Sequence, residues 1–493
     1  MRPRPTFSTG ISAYESFLAL MSGAPVIVWF RDDLRIADHP ALVAAARAGA
    51  PLLCLYVLDE RSARPLGGAA RWWLAGSLRA LDQELQNKGN RLVLRRGMAT
   101  RVLPALAAEI GARAVHWNRR YEAQGIAADE DVAAALKKSG IAVETYHANL
   151  LLEPTDKLPK VFTPFWRRLC AGAPPRRPLP APARLAAAPE VTSERLGDWR
   201  LEPTKPDWAG GLRATWTPGE AGARARLKQF LQERIAGYAS RRDRPEDEAT
   251  SRLSPHLRFG EISPFQVWHA AQFVAEKDQP IRRDVEKFLS EMGWREFSYH
   301  LLHGFPDLAS RNLYDRFDAF PWASNASALR AWQRGLTGYP IVDAGMRQLW
   351  QTGWMHNRVR MVVGSFLVKH LLINWTEGER WFWDTLVDAD PANNPASWQW
   401  VAGCGADAAP YFRIFNPVLQ GEKFDPDGRY VREFVPELAR LPNAVVHKPW
   451  TAPPLLLREA GVTLGKTYPE SLVEHAQARQ RALAAFERLK KQK

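Results

Sequence analysis

The sequence predicts an α/β plus all-α chain: an N-terminal Rossmann-like, doubly wound parallel sheet, a long connector and a C-terminal all-helical domain. Three observations predict it. Five near-continuous apolar runs alternate with helix-period segments between residues 25 and 146. A stretch rich in Pro, Ala and Arg follows at 171–218. Beyond residue 219, apolar residues recur at helical spacing and almost nothing alternates with period two. The expected bounds are a disordered leader over 1–24, an α/β domain over 25–150, a connector over 151–218 and a helical domain over 219–485.

The strands are PVIVWF (25–30), PLLCLYVL (51–58), RLVLRR (91–96), AVHWN (114–118) and IAVETY (141–146). Helices are expected near 38–48, 70–88, 101–110 and 122–138. Asp38 and Thr100 stand where N-caps are wanted, and Gly49, Gly89, Gly111 and Gly140 where helices should stop. Strands this apolar imply a sheet covered on both faces, with a ligand crevice at the strand C-termini. No GxGxxG follows the first strand, which runs into RDDLR instead. The formal match at Gly403–Ala408 lacks a preceding strand and carries no dinucleotide reading. The connector (AGAPPRRPLPAPARLAAAP, then EPTKPDWAGGL) reads as extended chain outside the core. Helical segments follow at 220–236, 263–277, 281–303, 325–336, 340–353, 356–374, 377–387 and about 470–490.

At 493 residues there is ample chain for large cores. No apolar run approaches the ~18–20 residues of a membrane span. The three cysteines, Cys54, Cys170 and Cys404, are far apart. They form no CxxC pair, fit a reducing cytosol, and are too few for a four-cysteine iron–sulfur cluster. The net charge of +14 points to a polyanionic partner, nucleic acid first.

The densest chemistry lies in 350–413, where four of the 20 tryptophans fall between Trp375 and Trp398 and Trp400 follows. Buried indoles want a partner for N–H, so a core reading and a redox or stacking reading stay open. TSRLSPHLRFG places Thr250, Ser251 and Ser254 around a helix start, which suits either capping or a diphosphate. In EMGWREF, Glu291 and Arg295 are i,i+4 and Trp294 is nearby. They make either a surface ion pair or one wall of a pocket. In WMHNRVRM, Asn357 and Met361 share a face, and Arg358 suits a carboxylate or a phosphate. In DADPANN, Asp388 and Asp390 lack a third carboxylate or histidine for a metal, and Arg358 and Arg295 are the expected counter-charges. No metal is expected. His300 and His303 read as solvated or core.

Together FRDDLR, TSRLSP, WREF, TGYPIVDAGMRQL, WMHNRVRM, WQW and APYFRIFNP resemble the photolyase/cryptochrome family over about residues 25–480. The details of DPANNPASWQWVAG are similar to the bacterial class I/III cyclobutane-dimer photolyases, leaning to class III. The resemblance implies FAD in the helical domain. Tyr238, Thr250, Ser251, Arg252, Leu253 and Ser254 would hold its phosphate side. Phe288 and Arg295 would line the pocket. Asp388, Ala389 and Asp390 would face ribose and ring, with Asn394 at flavin N5. Trp398, Trp375 and Trp322 would carry electrons from the surface. Glu291, Trp294, Asn357, Met361 and Trp400 would form the lesion pocket, with Arg242, Arg358, Arg360 and Arg413 gripping DNA phosphates.

The implied activity is light-driven repair of cyclobutane pyrimidine dimers in UV-damaged DNA, by electron transfer to a flipped-out lesion. A photosensory cryptochrome and repair of (6-4) photoproducts are the alternatives. Asn357 and Met361 stand where (6-4) enzymes carry a histidine, which favours the cyclobutane dimer. The short C-terminus favours repair over signalling. A methenyltetrahydrofolate antenna is implied without assigned residues, because Gln124-Gly125 depart from the family's Asn-Glu. A cytoplasmic, nucleoid-associated monomer with no membrane contact is expected.

Overall fold

The structure is a computed structural model that describes residues 23–491 except Ser62, Ala63, Asp156, Ala409 and Phe412. Nearly all of the expected 1–24 leader lies outside the described residues. The five strands form at β1 (Val26–Phe30), β2 (Leu52–Leu58), β3 (Leu92–Arg96), β4 (Ala114–Asn118) and β5 (Ala142–Tyr146). They pair in parallel in the order β3-β2-β1-β4-β5, with Val26 beside Leu52 on one side and Ala114 on the other. Helices α1 (Pro40–Arg47), α2 (Gly68–Gln86), α3 (Ala99–Ile110) and α4 (Ala123–Lys138) alternate with them. Two buried apolar clusters cover the faces: Phe30, Leu42 and Trp73 on one, Trp29, Leu103 and Trp117 on the other. This is why the strands read as unbroken apolar runs.

Two helix starts differ from expectation. His39, not Asp38, caps α1 by accepting the Leu42 N–H on Nδ1. Asp38 instead takes a left-handed backbone (φ 51°), and its carboxylate accepts from Arg176, Ser263 and the Leu179 N–H. Thr100 lies inside α3, whose N-cap is Met98. The expected glycine stops hold: Gly49, Gly89, Gly111 and Gly140 all have positive φ.

The expected crevice at the strand C-termini opens at β2 and β3, where Leu58, Asp59, Arg96, Gly97 and Arg101 line a cavity of about 500 Å³, while side chains pack over the end of β1. Arg31 lies over Trp29 at 4.2 Å, ion-pairs with Asp129 at 2.9 Å and is 7% exposed. The 171–218 stretch is irregular for most of its length, but it is not a free connector. Leu185, Trp199, Leu201, Leu212 and Trp216 are buried against the sheet's own cluster. Their apolar area outweighs the Pro-rich composition around them. Ahead of it, α5 (Phe162–Ala171) packs on the helical half.

The second half is mainly helical among the described residues, in elements α6 (Glu220–Gln229), α7 (Tyr238–Arg241), α8 (Ser254–Arg258), α9 (Pro264–Lys277), α10 (Arg282–Gly304), α11 (Ala326–Gln333), α12 (Pro340–Thr352), α13 (Asn357–Ser365), α14 (Trp375–Thr385), α15 (Asn393–Ala402) and α16 (His475–Lys491), with further short helices and turns between them. Helices α6 and α13 run on into single π turns at 230–234 and 366–370. Local chemistry starts several of them. Ser263 and Gln266 form a reciprocal capping box on α9. The Asn374 side chain caps α14 through the Thr376 N–H at 3.1 Å. Among the described residues no helix is long and apolar enough to cross a membrane.

Candidate functional site: a deep cavity in the helical domain

Helices α7, α8, α10, α13, α14 and α15 enclose a cavity of about 690 Å³, within the range of small-molecule and cofactor pockets. It is graded by exposure. Tyr238, Leu253, Phe288, Asp388, Asp390, Asn394 and Trp398 are buried. Glu291, Trp294, Met361 and Trp400 are half-buried, and Asn357 and Ser254 are exposed. Motifs more than 100 residues apart in sequence therefore converge on one pocket with an interior side and a solvent side.

On the α8 side, Ser251, Leu253 and Ser254 line the cavity with Tyr238. The N-cap of α8 is Leu253, and no side chain caps it. Thr250 and Arg252 do not line the cavity. Arg252 has φ 51°, and its guanidinium lies over Trp354 at 5.0 Å, facing away.

Helix α10 contributes Phe288, Glu291, Trp294 and Arg295. The expected Glu291–Arg295 pair does not form. Glu291 is held by Arg242 and by Lys287 at 2.8 Å, while Arg295 binds Glu296 at 3.0 Å. Neighbouring cations outside the motif reach the carboxylate first. Phe162 of α5 stacks on Trp294 at 3.8 Å and 7°, so one indole face is already covered. Gly293 makes room for Trp166: a Cβ there would lie 2.3 Å from the Trp166 ring.

The α13–α15 wall carries the charges. Arg360 pairs with Asp388 at 2.8 Å, and Arg358 pairs with Asp243 at 2.7 Å. The counter-charge of Asp388 is therefore Arg360, not Arg358 or Arg295. Asp390 is held within the protein. It accepts from the Ala392 and Asn393 N–H groups, the Asn393 amide and the Tyr299 hydroxyl, at 2.7–2.9 Å. Three of these fall on Oδ1, which shapes the DPANN turn, and Oδ2, with Tyr299 alone, keeps room for a further donor. Ala389 does not line the cavity; its carbonyl accepts from Arg258 at 2.8 Å. Among the described residues no group of three metal-ligating side chains occurs.

Asn394 lines the cavity with its amide fixed. Nδ2 donates to the Glu379 carbonyl at 3.1 Å and to Glu379 Oε1 at 2.9 Å, which leaves Oδ1 for the cavity. Trp398 also lines the cavity, and its Nε1 has no protein partner. Gly378 lets it sit against α14, since a Cβ there would lie 2.1 Å from the ring. Trp375 is buried, with Nε1 on Asn312 Oδ1 at 2.8 Å. Trp322 is half-buried beside Phe320 at 4.4 Å. The three indoles thus sit in different settings: Trp398 on the cavity wall, Trp375 in the core and Trp322 half-buried. Arg413 is exposed and outside the cavity, whereas Arg242, Arg358 and Arg360 line it. Gly403 closes α15 at φ 90°, so the late glycine pattern is a helix end. His300 is a core residue, its Nε2 on the Leu152 carbonyl at 3.1 Å.

Among the partners that escaped the sequence are Glu379, Tyr299, Phe162, Glu296, Lys287 and Asp243. Tyr299 is four residues after Arg295 on α10, a spacing that could have flagged it. Glu296 is fully buried and accepts the Leu151 N–H at 2.6 Å, tying α10 to the chain after β5. Burial pushes its carboxyl up to about 7, against the pull of Arg295 and the Leu151 and Leu152 N–H groups. The folded state therefore holds a proton that the unfolded chain has released between pH 4.5 and about 7. Stability falls as pH rises through that window. Glu296→Gln is expected to flatten this part of a plot of unfolding temperature against pH. Equal slopes for the two proteins would exclude the assignment.

Two family models match the chain: the FAD binding domain of DNA photolyase over residues 288–488, and DNA photolyase over 26–183. The chain belongs to the DNA photolyase/cryptochrome family. It is 54% identical to a deoxyribodipyrimidine photo-lyase of Agrobacterium fabrum, over 95% of this chain and 98% of that one. Its fold matches the crystal structure of a bacterial class III photolyase from Agrobacterium tumefaciens with a TM-score of 0.92 at 53% identity, covering 95% and 98% of the two chains. Cryptochrome-1 of Arabidopsis thaliana is 37% identical over 95% of this chain and 71% of its own length. The residues present fit FAD. Hydroxyls of Ser251 and Ser254 suit a diphosphate, the Asp388–Arg360 pair a polar middle, and the Asn394 carbonyl and Trp398 indole a ring edge and face.

Proposed function

We propose that this chain is a light-driven DNA repair enzyme that reverses cyclobutane pyrimidine dimers, with FAD in the cavity described above. One observation carries the reading. A buried set suited to a flavin (Tyr238, Leu253, Asp388, Asn394, Trp398) shares one cavity with a solvent-side set suited to a pyrimidine pair (Glu291, Trp294, Asn357, Met361, Trp400). The names of the Agrobacterium relatives support it.

When bound and reduced, FAD supplies a photoexcitable one-electron donor. The protein's own groups do the rest. Trp400 and the free face of Trp294 receive the flipped bases, at a stacking gain of about 1–3 kcal/mol per base. Glu291, steadied by Lys287 and Arg242, accepts a hydrogen bond from a pyrimidine N–H. Asn394 offers Oδ1 to the flavin ring edge. Trp398, Trp375 and Trp322 relay electrons inward from the surface. Trp398→Phe is expected to abolish photoreduction of the flavin and leave repair by chemically reduced protein intact. Photoreduction at the wild-type rate would mean another route.

Phosphate contact falls first to Arg413, an exposed residue, because Arg242, Arg358 and Arg360 are already paired with carboxylates. Arg413→Ala should reduce the salt dependence of DNA binding by about 0.9 in log K per log salt. An unchanged slope would remove Arg413 from the interface. The proposal includes a methenyltetrahydrofolate antenna and a monomeric, cytoplasmic enzyme that meets the nucleoid through its substrate.

The test of substrate is an illuminated assay on two oligonucleotides, one with a cyclobutane dimer and one with a (6-4) photoproduct. Reversal of the first alone is expected. Reversal of the second alone would overturn the assignment. Photoreducible flavin with neither reversed would favour a photosensory role, the reading that the similarity to plant cryptochrome supports.

A further inference from the structure

One side chain of the α/β domain braces the wall of the flavin site from behind. Arg64 lies in the segment between β2 and α2, 315 residues before its partner Glu379 on α14. Its two terminal nitrogens grip both Glu379 oxygens, at 2.7 and 2.9 Å. The geometry is a bidentate fork, the most directional ion pair available to proteins. The guanidinium also lies over Trp383 at 4.0 Å. Glu379 is 1% exposed, and Oε1, the oxygen that takes Arg64 Nη1, also accepts from Asn394.

The consequence runs along this line of contacts. An unclamped carboxylate can rotate away from Asn394. Nδ2 of Asn394 would then keep only the Glu379 main-chain carbonyl at 3.1 Å, and the amide could tilt on that single bond and shift Oδ1 within the cavity. Held by Arg64, Glu379 keeps the second bond and the amide stays as seen. The segment is docked independently as well. Trp383 Nε1 donates to the Pro65 carbonyl at 2.8 Å, and the Gly68 N–H donates to Asp384 at 2.8 Å. Gly67 packs so closely on Trp383 that a Cβ would lie 2.2 Å from its carbonyl oxygen.

We propose that Arg64 is a positioning residue of the flavin site, fixing through Glu379 where the amide of Asn394 presents Oδ1 to the cavity. This rests on the FAD reading above. The carbonyl of Asn394 favours a ring edge that carries hydrogen, so the clamp should favour reduced over oxidised flavin.

The experiment is a redox titration of the flavin-loaded protein against dyes of known potential, with flavin content measured first. Arg64→Gln is expected to retain FAD and lower the reduced-to-oxidised ratio at fixed poise by about tenfold, or about 30 mV for a two-electron couple. Arg64→Lys should recover part of that loss. Asp384→Asn serves as the docking control. It should lower the unfolding temperature of the flavin-free protein, as Arg64→Gln does, and leave the ratio unmoved. A wild-type ratio in Arg64→Gln, or an equal shift in Asp384→Asn, would overturn the positioning role. Wild-type protein that takes up no flavin would instead overturn the FAD reading beneath it.

Discussion

Asp388→Ala is expected to weaken FAD binding roughly 30- to 150-fold, a loss of about 2–3 kcal/mol. The number follows from the pair it breaks. Asp388 is 8% exposed and takes two hydrogen bonds from Arg360 Nη2, at 2.8 and 3.1 Å. Removing the carboxylate strands a guanidinium in the cavity wall, where truncation of one partner costs more than the pair contributes. Arg360 keeps one anchor, the Met355 carbonyl at 2.8 Å, and remains a quarter exposed, so the cost sits at the lower end of the buried range. Flavin retained on purification, followed by the dissociation constant of the reloaded protein, measures it. Wild-type retention would mean that the pair closes the cavity wall without supporting the cofactor.

The second large effect is expected from Glu291→Ala. It should lower kcat/KM for dimer repair roughly ten- to thirtyfold while FAD stays bound, the loss of one hydrogen bond to a charged group of about 1.5–2 kcal/mol. Glu291 lines the solvent side of the cavity, and its carboxylate is steadied by Arg242 and Lys287. Glu291→Gln separates charge from shape. It keeps an acceptor and should retain more repair than alanine. Unchanged repair in both variants would reassign Glu291 to holding Arg242.

The sheet was legible because strands buried on both faces read as unbroken apolar runs, and because left-handed helix ends demand glycine. The site was legible where its residues sit in one motif, as in WMHNRVRM and DADPANN. Partnerships were not. Glu291 and Arg295 have ideal spacing for an ion pair, yet Arg242 and Lys287 take the carboxylate. Arg358 and Arg360 are two residues apart, and only the fold decides which one meets Asp388. The connector's composition hid the burial of Leu185, Trp199, Leu201, Leu212 and Trp216, because burial depends on what lies opposite. Arg64 gave no signal at all: an isolated arginine in an irregular segment acquires meaning only when the fold brings Glu379 to it.

The central claim is that one cavity holds both a light-absorbing flavin and a DNA lesion. The most direct measurement is light-dependent restoration of intact thymines in an oligonucleotide with a single cyclobutane dimer, using chemically reduced, FAD-loaded protein and a dark control. The predicted result is reversal in light, none in the dark, and none with FAD-free protein. Equal reversal in light and dark, or no reversal by protein with a full complement of reduced FAD, would contradict it.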